Sequence, residues 1–276
     1  MSLITVLGAS GFIGSALVKR LDEIELEHLS PDRNEKLAGR KLGNIIYCIG
    51  LTADFRSRPF ETVEAHVCHL ARVLRDYEFE SLVYLSSARL YQKQNTPASE
   101  EDFLRVSPSN QGDLYNISKI MGESLALASG KKTRVVRLSN VYGNDFTSQN
   151  FLSSIIVEAL SKGKVTVNNA PDAEKDYISI HDVVDGLIKI SGEGKQSLYN
   201  LASGVNVSNQ ILLRKISDLT GCEISFDAAA ARISFPPIGI DRIRSEFGFR
   251  PRYVLDDLGD LIGSYRKHLA EQGGAN

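Results

Sequence analysis

The chain has 276 residues, of which 42% are hydrophobic and 24% charged, and its formal net charge is -2. These values are ordinary for a globular protein with a large core and room for a smaller lobe. They exclude the basic surface that a nucleic-acid partner requires. No apolar run is long enough to cross a membrane, and no positive segment precedes the apolar N-terminal stretch, so we expect neither a membrane segment nor a signal peptide. The cysteines, Cys48, Cys68 and Cys222, lack the spacing of a metal site or disulfide framework, so we expect reduced thiols in the cytoplasm and no metal.

Short β-rich runs alternate with helical patterns in the first half of the chain. The predicted strands are Leu3–Leu7, Leu26–Leu29, Asn44–Ile49, Ser81–Leu85 and Arg134–Leu138. The predicted helices are Phe12–Leu21, Thr62–Arg75 and Leu114–Ala128. Strands and helices at these intervals favour parallel pairing through right-handed crossovers. We therefore predict an α/β fold with a Rossmann-type doubly wound parallel sheet.

The second half is less regular and changes character near residue 145. Its predicted helices are Phe151–Ser161, Asp182–Ser191 and Asn209–Leu219, and its predicted strands are Lys164–Val167 and Ser197–Leu201. Residues 235–239 are expected to form a loop. We predict a dinucleotide-binding domain over residues 1–145, to which 176–202 returns, and a smaller C-terminal substrate-binding lobe over 146–175 and 203–276.

The turn after the first strand is rich in glycine and opens a helix. A diphosphate needs bare backbone N–H groups at a helix N-terminus, where side chains would block its approach. A third glycine lets the helix pack closely on the strand. The alternative is a tight turn without a ligand. We predict dinucleotide contacts from Gly8, Ser10, Gly11, Phe12, Ile13 and Gly14.

The end of the second strand decides between NAD and NADP. An acidic residue there binds the ribose hydroxyls of NAD, whereas a small residue with an arginine admits the 2′-phosphate of NADP. Ser30 and Arg33 stand at these positions, which favours NADP. A shift of two residues places Asp32 there instead and favours NAD, and a plain surface turn is the remaining alternative.

Tyr115 and Lys119 are one helical turn apart, so the phenol and the ammonium share a face. A nearby ammonium favours the phenolate and lowers the pKa of a tyrosine, which otherwise lies near ~10. Tyr115 can then exchange the proton of a carbinol while a nicotinamide exchanges the hydride. We expect Lys119 to hold the nicotinamide ribose as well.

Ser87 closes the fourth strand at the carboxyl edge of the sheet, where such folds bind ligands. Its hydroxyl can hydrogen-bond a substrate oxygen and stabilise developing charge there. The alternative role is a cap at the end of the strand. Ser87, Tyr115 and Lys119 together form the predicted catalytic group.

With these residues in place, an ordered set of segments resembles a known family. The segments are Gly8–Gly14, Leu85–Tyr91, Tyr115–Lys119, Arg137–Gly143, Asp176–Val183, Tyr199–Leu201 and Gly248–Pro251. The set is similar to the extended short-chain dehydrogenase/reductases, which include nucleotide-sugar epimerases, dehydratases and reductases. The resemblance implies a nucleotide-sugar substrate, NADP or NAD as cofactor, and a homodimer formed through helices that include Tyr115–Lys119.

The resemblance also implies roles by position. Residues expected along the cofactor are Gly50, Leu51, Thr52 and Val141, and residues expected along the substrate are Arg89, Asn140 and Lys175. Arg56, Arg58, Arg242 and Arg244 could add cations, although solvated surface arginines are the alternative.

Two departures from the family pattern bear on the reaction. Dehydratases of this family carry an Asp-Glu pair directly after the active-site hydroxyl residue, and here these positions are Ala88 and Arg89. Without that acid pair, we reject a 4,6-dehydratase. His66 replaces a family asparagine, and we expect it to pack or hydrogen-bond rather than to catalyse.

Three hypotheses remain. The first is NADPH-dependent reduction of a 4-keto sugar nucleotide, favoured by Ser30 and by the absent acid pair. The second is a 4-epimerase with tightly held NAD, which oxidises and re-reduces the same carbon. The third is a binding protein that senses NADP without catalysis, which the retention of serine, tyrosine and lysine disfavours.

Overall fold

The computed structural model describes residues 3–273 except 34, 53, 95, 96, 147, 149, 228, 230–232 and 234. The strands are β1 Ile4–Leu7, β2 His28–Leu29, β3 Asn44–Tyr47, β4 Ser81–Ser87, β5 Thr133–Leu138, β6 Asn140–Tyr142, β7 Lys164–Val167, β8 Glu174–Ser179, β9 Leu198–Leu201, β10 Asn206–Ser208 and β11 Glu223–Phe226. The α-helices are α1 Phe12–Glu23, α2 Pro59–Val63, α3 His69–Asp76, α4 Leu114–Ala128, α5 Phe151–Lys162, α6 Ile180–Glu193, α7 Asn209–Thr220, α8 Asp241–Phe247 and α9 Val254–Gly273. A π-helix, Glu64–Cys68, joins α2 to α3, and short 3-10 helices cover Ala88–Tyr91 and Gln111–Asp113.

Six parallel strands form the central sheet, in the order β2, β1, β3, β4, β5, β9. β1 pairs with β2 on one side and with β3 on the other, so the direction of chain progression reverses between β1 and β3. In doubly wound sheets, ligands bind in the crevice beyond the carboxyl ends of the strands at this reversal. The predicted fold class is confirmed.

Side chains alternate across the central sheet and build one apolar layer on each face. Val6, Ile46 and Val83 pack in the layer of α1 and α6, whereas Tyr47 and Tyr84 pack in the layer of α3 and α4. Strands that are buried on both faces read as nearly continuous apolar runs, which is why β1, β3 and β4 were recognisable from sequence. The two layers hold the strand ends, and thus the crevice, in place.

A second apolar cluster lies outside the central sheet. It is built from α5, α7, α9 and β7, with partly buried side chains of β11 packed against it. β7 pairs with β11, and β6, β8 and β10 form a separate three-stranded sheet. β9 pairs with β5 in the central sheet, and α6 packs on α1. None of the described helices combines the length and the apolar character needed to span a membrane.

Several elements differ from the sequence-based predictions. The predicted strand Leu26–Leu29 is reduced to His28–Leu29, and the predicted helix Thr62–Arg75 contains a π-helical turn. Four short strands and the helices α8 and α9 were not predicted. β8 begins with three charged residues, so it lacks the alternating apolar pattern of a strand. It forms by pairing with β10, which is distant in sequence.

Candidate active site

A cleft of about 680 Å³ opens beyond the carboxyl ends of β1, β3, β4 and β5, and residues of β6, α5 and β8 complete its wall. Its volume is in the range of small-molecule sites. The predicted site residues that line it are Gly11, Phe12, Ile13, Gly50, Thr52, Ser87, Arg89, Tyr115, Lys119, Asn140, Val141 and Lys175. The predicted site residues outside this lining are Gly8, Ser10, Gly14, Ser30, Arg33 and Leu51.

The glycine turn between β1 and α1 has the shape that a dinucleotide needs. Gly8 adopts a φ of +90°, and a Cβ on Gly14 would lie 2.1 Å from the carbonyl oxygen of Gly8. Both positions therefore exclude any side chain. No side chain caps α1 at Gly11, which leaves the first-turn N–H groups free at the positive end of the helix dipole. The residues present fit a diphosphate.

The end of β2 lies at the edge of the central sheet. Ser30 follows the last residue of β2 directly, and both Ser30 and Arg33 are exposed. Asp32 belongs to a turn in which its N–H donates to the carboxylate of Glu35. Ser30, rather than Asp32, is thus the first residue after the strand, the position that we assigned to cofactor choice.

His66 is fully buried behind the loop that follows β3. Its Nε2 accepts from the N–H of Leu51 at 3.2 Å, and its Nδ1 lies 2.8 Å from Oγ of Ser118. Because Nε2 accepts, the ring proton resides on Nδ1 and is donated to Ser118, which in turn donates to the carbonyl of Tyr115 at 2.9 Å. Burial and the charge of Lys119 lower the pKa of His66 to about 2, so the ring stays neutral. His66 therefore links the loop after β3 to α4.

The π-helix that carries His66 has its own support. π-helical turns displace carbonyl groups from regular α-helical pairing, and such groups need other donors when buried. Two buried tyrosines supply them: Tyr47 donates to the carbonyl of Ala65 at 2.6 Å, and Tyr84 donates to the carbonyl of His66 at 3.2 Å. The ring of His66 meets the ring of Tyr115 edge-on, with centroids 5.4 Å apart.

Tyr115 and Lys119 lie one turn apart on α4, and both are buried at the base of the cleft. Nζ of Lys119 donates to the carbonyl of Leu85 on β4 at 2.8 Å. Burial lowers the pKa of Lys119 to about 7, against an opposing effect of Glu123. The predicted pairing on one helix face is present, and the ammonium also ties the helix to the strand that ends in Ser87.

Burial raises the pKa of the Tyr115 phenol above its ordinary range, so the protein without a dinucleotide holds the phenol protonated. Hydrogen bonding with Ser87 and the positive charge of Arg89 act in the opposite direction. We had expected Lys119 to supply that charge. In the free protein the ammonium bonds the Leu85 carbonyl and Arg89 is the cation that favours the phenolate, so an effect of Lys119 on the phenol stays a prediction for the protein with a dinucleotide bound.

Ser87 has the capping role that was considered for it, and its role toward a substrate oxygen stays a prediction. Its Oγ accepts from the N–H of Arg89 at 3.2 Å and thereby caps the 3-10 helix Ala88–Tyr91. The same hydroxyl interacts with the phenol of Tyr115. The cap fixes the position of the serine, and Ser87 still lines the cleft.

The predicted substrate residues Asn140 and Lys175 lie on the β6 and β8 side of the cleft. Nδ2 of Asn140 donates to the carbonyl of Asp176 at 2.7 Å, which fixes the amide. Nζ of Lys175 lies 3.9 Å from the centroid of the Phe151 ring, and burial lowers the pKa of this lysine to about 8. Arg89 lies next to Tyr115, with its Cζ 5.6 Å from the centroid of that ring.

The additional arginines separate into two groups. Arg56 lines the cleft, whereas Arg58, Arg242 and Arg244 do not. The three outer arginines each pair with a carboxylate; the partners are Asp54, Glu101 and Asp241. Arg58 and Arg244 fit the surface alternative, whereas Arg242 is partly buried and also donates to the carbonyl of Leu198.

Residues 4–202 match the model of the NAD dependent epimerase/dehydratase family. The chain belongs to that family. It is similar to dTDP-4-dehydro-6-deoxyglucose reductase of Escherichia coli, at 24% identity over 95% of this chain and 97% of the relative. It is also similar to UDP-glucose 4-epimerase of Streptococcus mutans, at 24% identity over 95% of each chain. A solved structure of MoeE5 in complex with UDP-glucose and NAD shares the fold, with a TM-score of 0.80 and 23% identity over 96% of this chain and 99% of that chain.

In this member of the epimerase/dehydratase family, the sequence reasoning missed a buried polar network behind the cleft. Glu123 receives two bonds from Arg137, at 2.9 and 2.7 Å, and one from Ser86 at 2.5 Å. Arg137 also donates to the hydroxyl of Tyr91, which donates to Asn200 on β9. A signal was available, because Glu123 follows Tyr115 and Lys119 at intervals of four and lies on the same helix face.

Phe55 was also missed. Its side chain is buried, lines the cleft and lies 5.4 Å from the ring of Tyr115, centroid to centroid. It comes from the loop after β3, where no periodic pattern singles out one apolar residue. Its position became evident only when the strand ends were brought together.

Proposed function

We propose that this chain is an oxidoreductase that reduces a keto group of a nucleotide-linked sugar with NADPH or NADH. The observation that carries the proposal is the protonated Tyr115 phenol at the base of the cleft, with Ser87 beside it and the glycine turn at the same end of the sheet. A buried neutral phenol is a proton donor, which is what the reduction of a carbonyl requires.

The residues of the chain would divide the chemistry as follows. Ser87 donates a hydrogen bond to the substrate carbonyl oxygen and stabilises the charge that develops there. Tyr115 gives its proton to that oxygen as the carbon becomes a carbinol. Arg89, which favours the phenolate, stabilises the tyrosinate that remains. The nicotinamide, when bound, supplies the hydride to the carbonyl carbon.

Lys119 and His66 would hold the cofactor side of the cleft in shape. Gly50 follows β3, and a Cβ there would lie 3.3 Å from Nε2 of His66 and 3.4 Å from Nζ of Lys119. The loop is thus backed by a lysine that can reach a ribose hydroxyl and by a neutral histidine. We assign Leu51 and Thr52 to the cofactor on this basis, and Val141 on the opposite wall.

We propose NADP rather than NAD as the preferred cofactor. Ser30 follows β2 directly, and no carboxylate occupies that position. Arg33 is exposed three residues later, and it forms no ion pair with any residue of the described ranges. An unpaired arginine beside a small residue suits a 2′-phosphate.

The family relatives keep an alternative open, since two of them are named as UDP-glucose 4-epimerases. A 4-epimerase would use Tyr115 first as base and then as acid, with the dinucleotide retained throughout. The near-ultraviolet spectrum of the purified protein distinguishes the two. Reductase activity predicts no retained nicotinamide and a requirement for added NADPH, whereas an epimerase predicts retained nicotinamide.

We further propose that residues 1–145 and 176–202 form the dinucleotide-binding domain, and that 146–175 and 203–276 form the substrate lobe. Support comes from the pairing of β9 with β5 and from the separate apolar cluster around α5, α7 and α9.

A homodimer through α4 is supported by the exposed Met121 and Leu127 on that helix. The three free thiols support a cytoplasmic location.

A panel of UDP- and dTDP-linked 4-keto sugars tests the function. With NADPH and NADH in parallel, we expect one class of nucleotide sugar to cause loss of the reduced-nicotinamide absorbance. Thermal shift with the same panel gives an independent readout, since ligands that bind only the folded state raise its melting temperature. Turnover of free sugars but not of nucleotide sugars would contradict the proposal.

A further inference from the structure

Two arginines in the cleft lie against the same aromatic ring. Cζ of Arg56 is 4.6 Å from the centroid of the Phe55 ring, and Cζ of Arg89 is 5.2 Å from it. Cζ of Arg89 is also 5.6 Å from the centroid of the Tyr115 ring. Both side chains line the cleft, and one of them, Arg89, lies next to the Tyr115 ring at which the chemistry is expected.

Neither guanidinium has an anionic partner. Within the part of the chain that the structure describes, no carboxylate lies within ion-pairing distance of Arg56 or Arg89. Nε of Arg89 is shielded from solvent and has no hydrogen-bond acceptor among the same residues. Asp113 exerts some attraction on Arg89, but its carboxylate already binds Lys93 and the N–H of Ser107.

The neighbouring Arg58 shows that this segment can neutralise an arginine. It lies on the outside, with one nitrogen 3.1 Å from Asp54 and another 3.7 Å from Glu61. The cleft arginines have no such partners. Burial and the charge of Arg56 both lower the pKa of Arg89, so its cationic form is disfavoured in the free protein. A shielded, uncompensated cation is costly to the free protein, and an incoming anion would remove that cost.

The position of the pair identifies which part of the substrate carries the anion. Lys175 and Asn140 line the cleft from the β6 and β8 side, and we assign them to the substrate diphosphate because an ammonium and an amide N–H can bind phosphate oxygens. Arg89 instead touches the ring of Tyr115, whose hydroxyl serves the reacting carbon. The anion therefore sits close to that carbon. The planar fork of a guanidinium matches a carboxylate in a two-bond arrangement.

We infer that the substrate is a nucleotide-linked uronic acid, with its carboxylate on the carbon next to the reacting one and bound by Arg89 and Arg56. The inference rests on the proposed function and adds the acidic sugar to it. In a hexuronate that reacts at C4, the carboxylate is attached to C5, so one sugar ring presents both groups to Tyr115 and Arg89.

Binding measurements on the purified full-length chain test the inference. The ligands are UDP and dTDP, their glucose conjugates and their glucuronic acid conjugates, and the proteins are the native chain, Arg89→Gln, Arg56→Gln and Arg58→Gln. We expect the native chain to bind a glucuronic acid conjugate roughly tenfold or more tightly than the matching glucose conjugate. Arg89→Gln should reduce this ratio to about threefold or less without changing the affinity for the nucleoside diphosphate.

Arg58→Gln is the matched control, because it removes a guanidinium from the same segment but from outside the cleft. It should leave every affinity unchanged, and dinucleotide binding should persist in all variants as evidence of folding. Equal affinity for the two conjugates in the native chain overturns the inference and leaves the proposed function standing. So does a loss of nucleoside diphosphate binding in Arg89→Gln, since the arginines would then serve the diphosphate. Dinucleotide binding without any nucleoside diphosphate binding would defeat the proposed function, and the uronate with it.

Discussion

Nζ of Lys119 lies 2.8 Å from the carbonyl oxygen of Leu85, two residues before the end of β4. This bond joins the helix of Tyr115 to the strand that ends in Ser87. The proposed acid/base residue and the hydroxyl proposed to assist it are therefore held on one unit. In the free protein, Lys119 thus connects the helix to the strand, and Arg89 is the cation that lowers the pKa of Tyr115 against the effect of burial.

The two cleft lysines should titrate far below ordinary lysines. Burial lowers the pKa of Lys119 to about 7 and that of Lys175 to about 8. In NMR spectra of the chain labelled at lysine side chains, we expect two resonances to titrate in this range, well below the ordinary lysine value of ~10.4. Lys119→Met and Lys175→Met should each remove one of them. The absence of any lysine resonance that titrates near 7 or 8 would contradict the burial.

The same shifts predict how stability depends on pH. The unfolded chain keeps its lysine protons up to about pH 10.4, whereas the folded chain releases these two near 7 and 8. Between the pKa of each lysine in the folded chain and about pH 10.4, the unfolded state binds more protons than the folded state. The contribution of each lysine to the free energy of unfolding therefore rises with pH in that window and is constant below it. Urea unfolding of Lys119→Met against the native chain measures this contribution, and parallel pH profiles for the two would argue against it.

Glu123 should be essential for folding. Its carboxylate is buried and receives bonds from Arg137 and Ser86, so Glu123→Leu leaves the guanidinium without a partner. We expect a loss of about 3 to 5 kcal/mol in the free energy of unfolding. Glu158→Gln, which breaks an exposed pair with Lys162, should cost less than about 1 kcal/mol. Equal losses in the two variants would show that the buried network is not what stabilises α4.

His66 should affect the cofactor loop without titrating. Because its pKa lies at about 2, no histidine signal assigned to it should shift between about pH 5 and 8. His66→Ala leaves the N–H of Leu51 and the hydroxyl of Ser118 without their partner. We expect dinucleotide affinity to fall roughly tenfold, as a lost buried hydrogen bond implies. His181→Ala, at an exposed position, is the control, and an unchanged affinity in His66→Ala would refute this role.

Cofactor choice should depend on two residues at the end of β2. Ser30→Asp places a carboxylate where a 2′-phosphate is expected, so affinity for NADP should fall roughly tenfold or more while affinity for NAD rises. Arg33→Ala should weaken NADP alone. Arg75→Ala removes an exposed arginine elsewhere and should change neither. Tighter binding of NAD than NADP by the native chain would reverse our assignment.

The sequence was sufficient for features encoded locally. The apolar runs of β1, β3 and β4 and the glycines between Gly8 and Gly14 impose their own geometry, and the spacing of Tyr115 and Lys119 follows from helix period alone. Features that depend on distant neighbours were not predictable in this way. Glu123 became meaningful once Arg137 lay beside it, and the π-helix depends on hydroxyl donors from β3 and β4.

The most direct measurement of the central claim is single-turnover hydride transfer in Tyr115→Phe, followed by the absorbance of the reduced nicotinamide. The change removes one hydroxyl from a buried ring and leaves its packing against Phe55 and His66 intact. We expect the rate to fall by roughly 100- to 10,000-fold, the range that a positioned proton donor contributes, while the dinucleotide binds as before. A rate within about tenfold of the native chain would show that the proton comes from another group and would contradict the account.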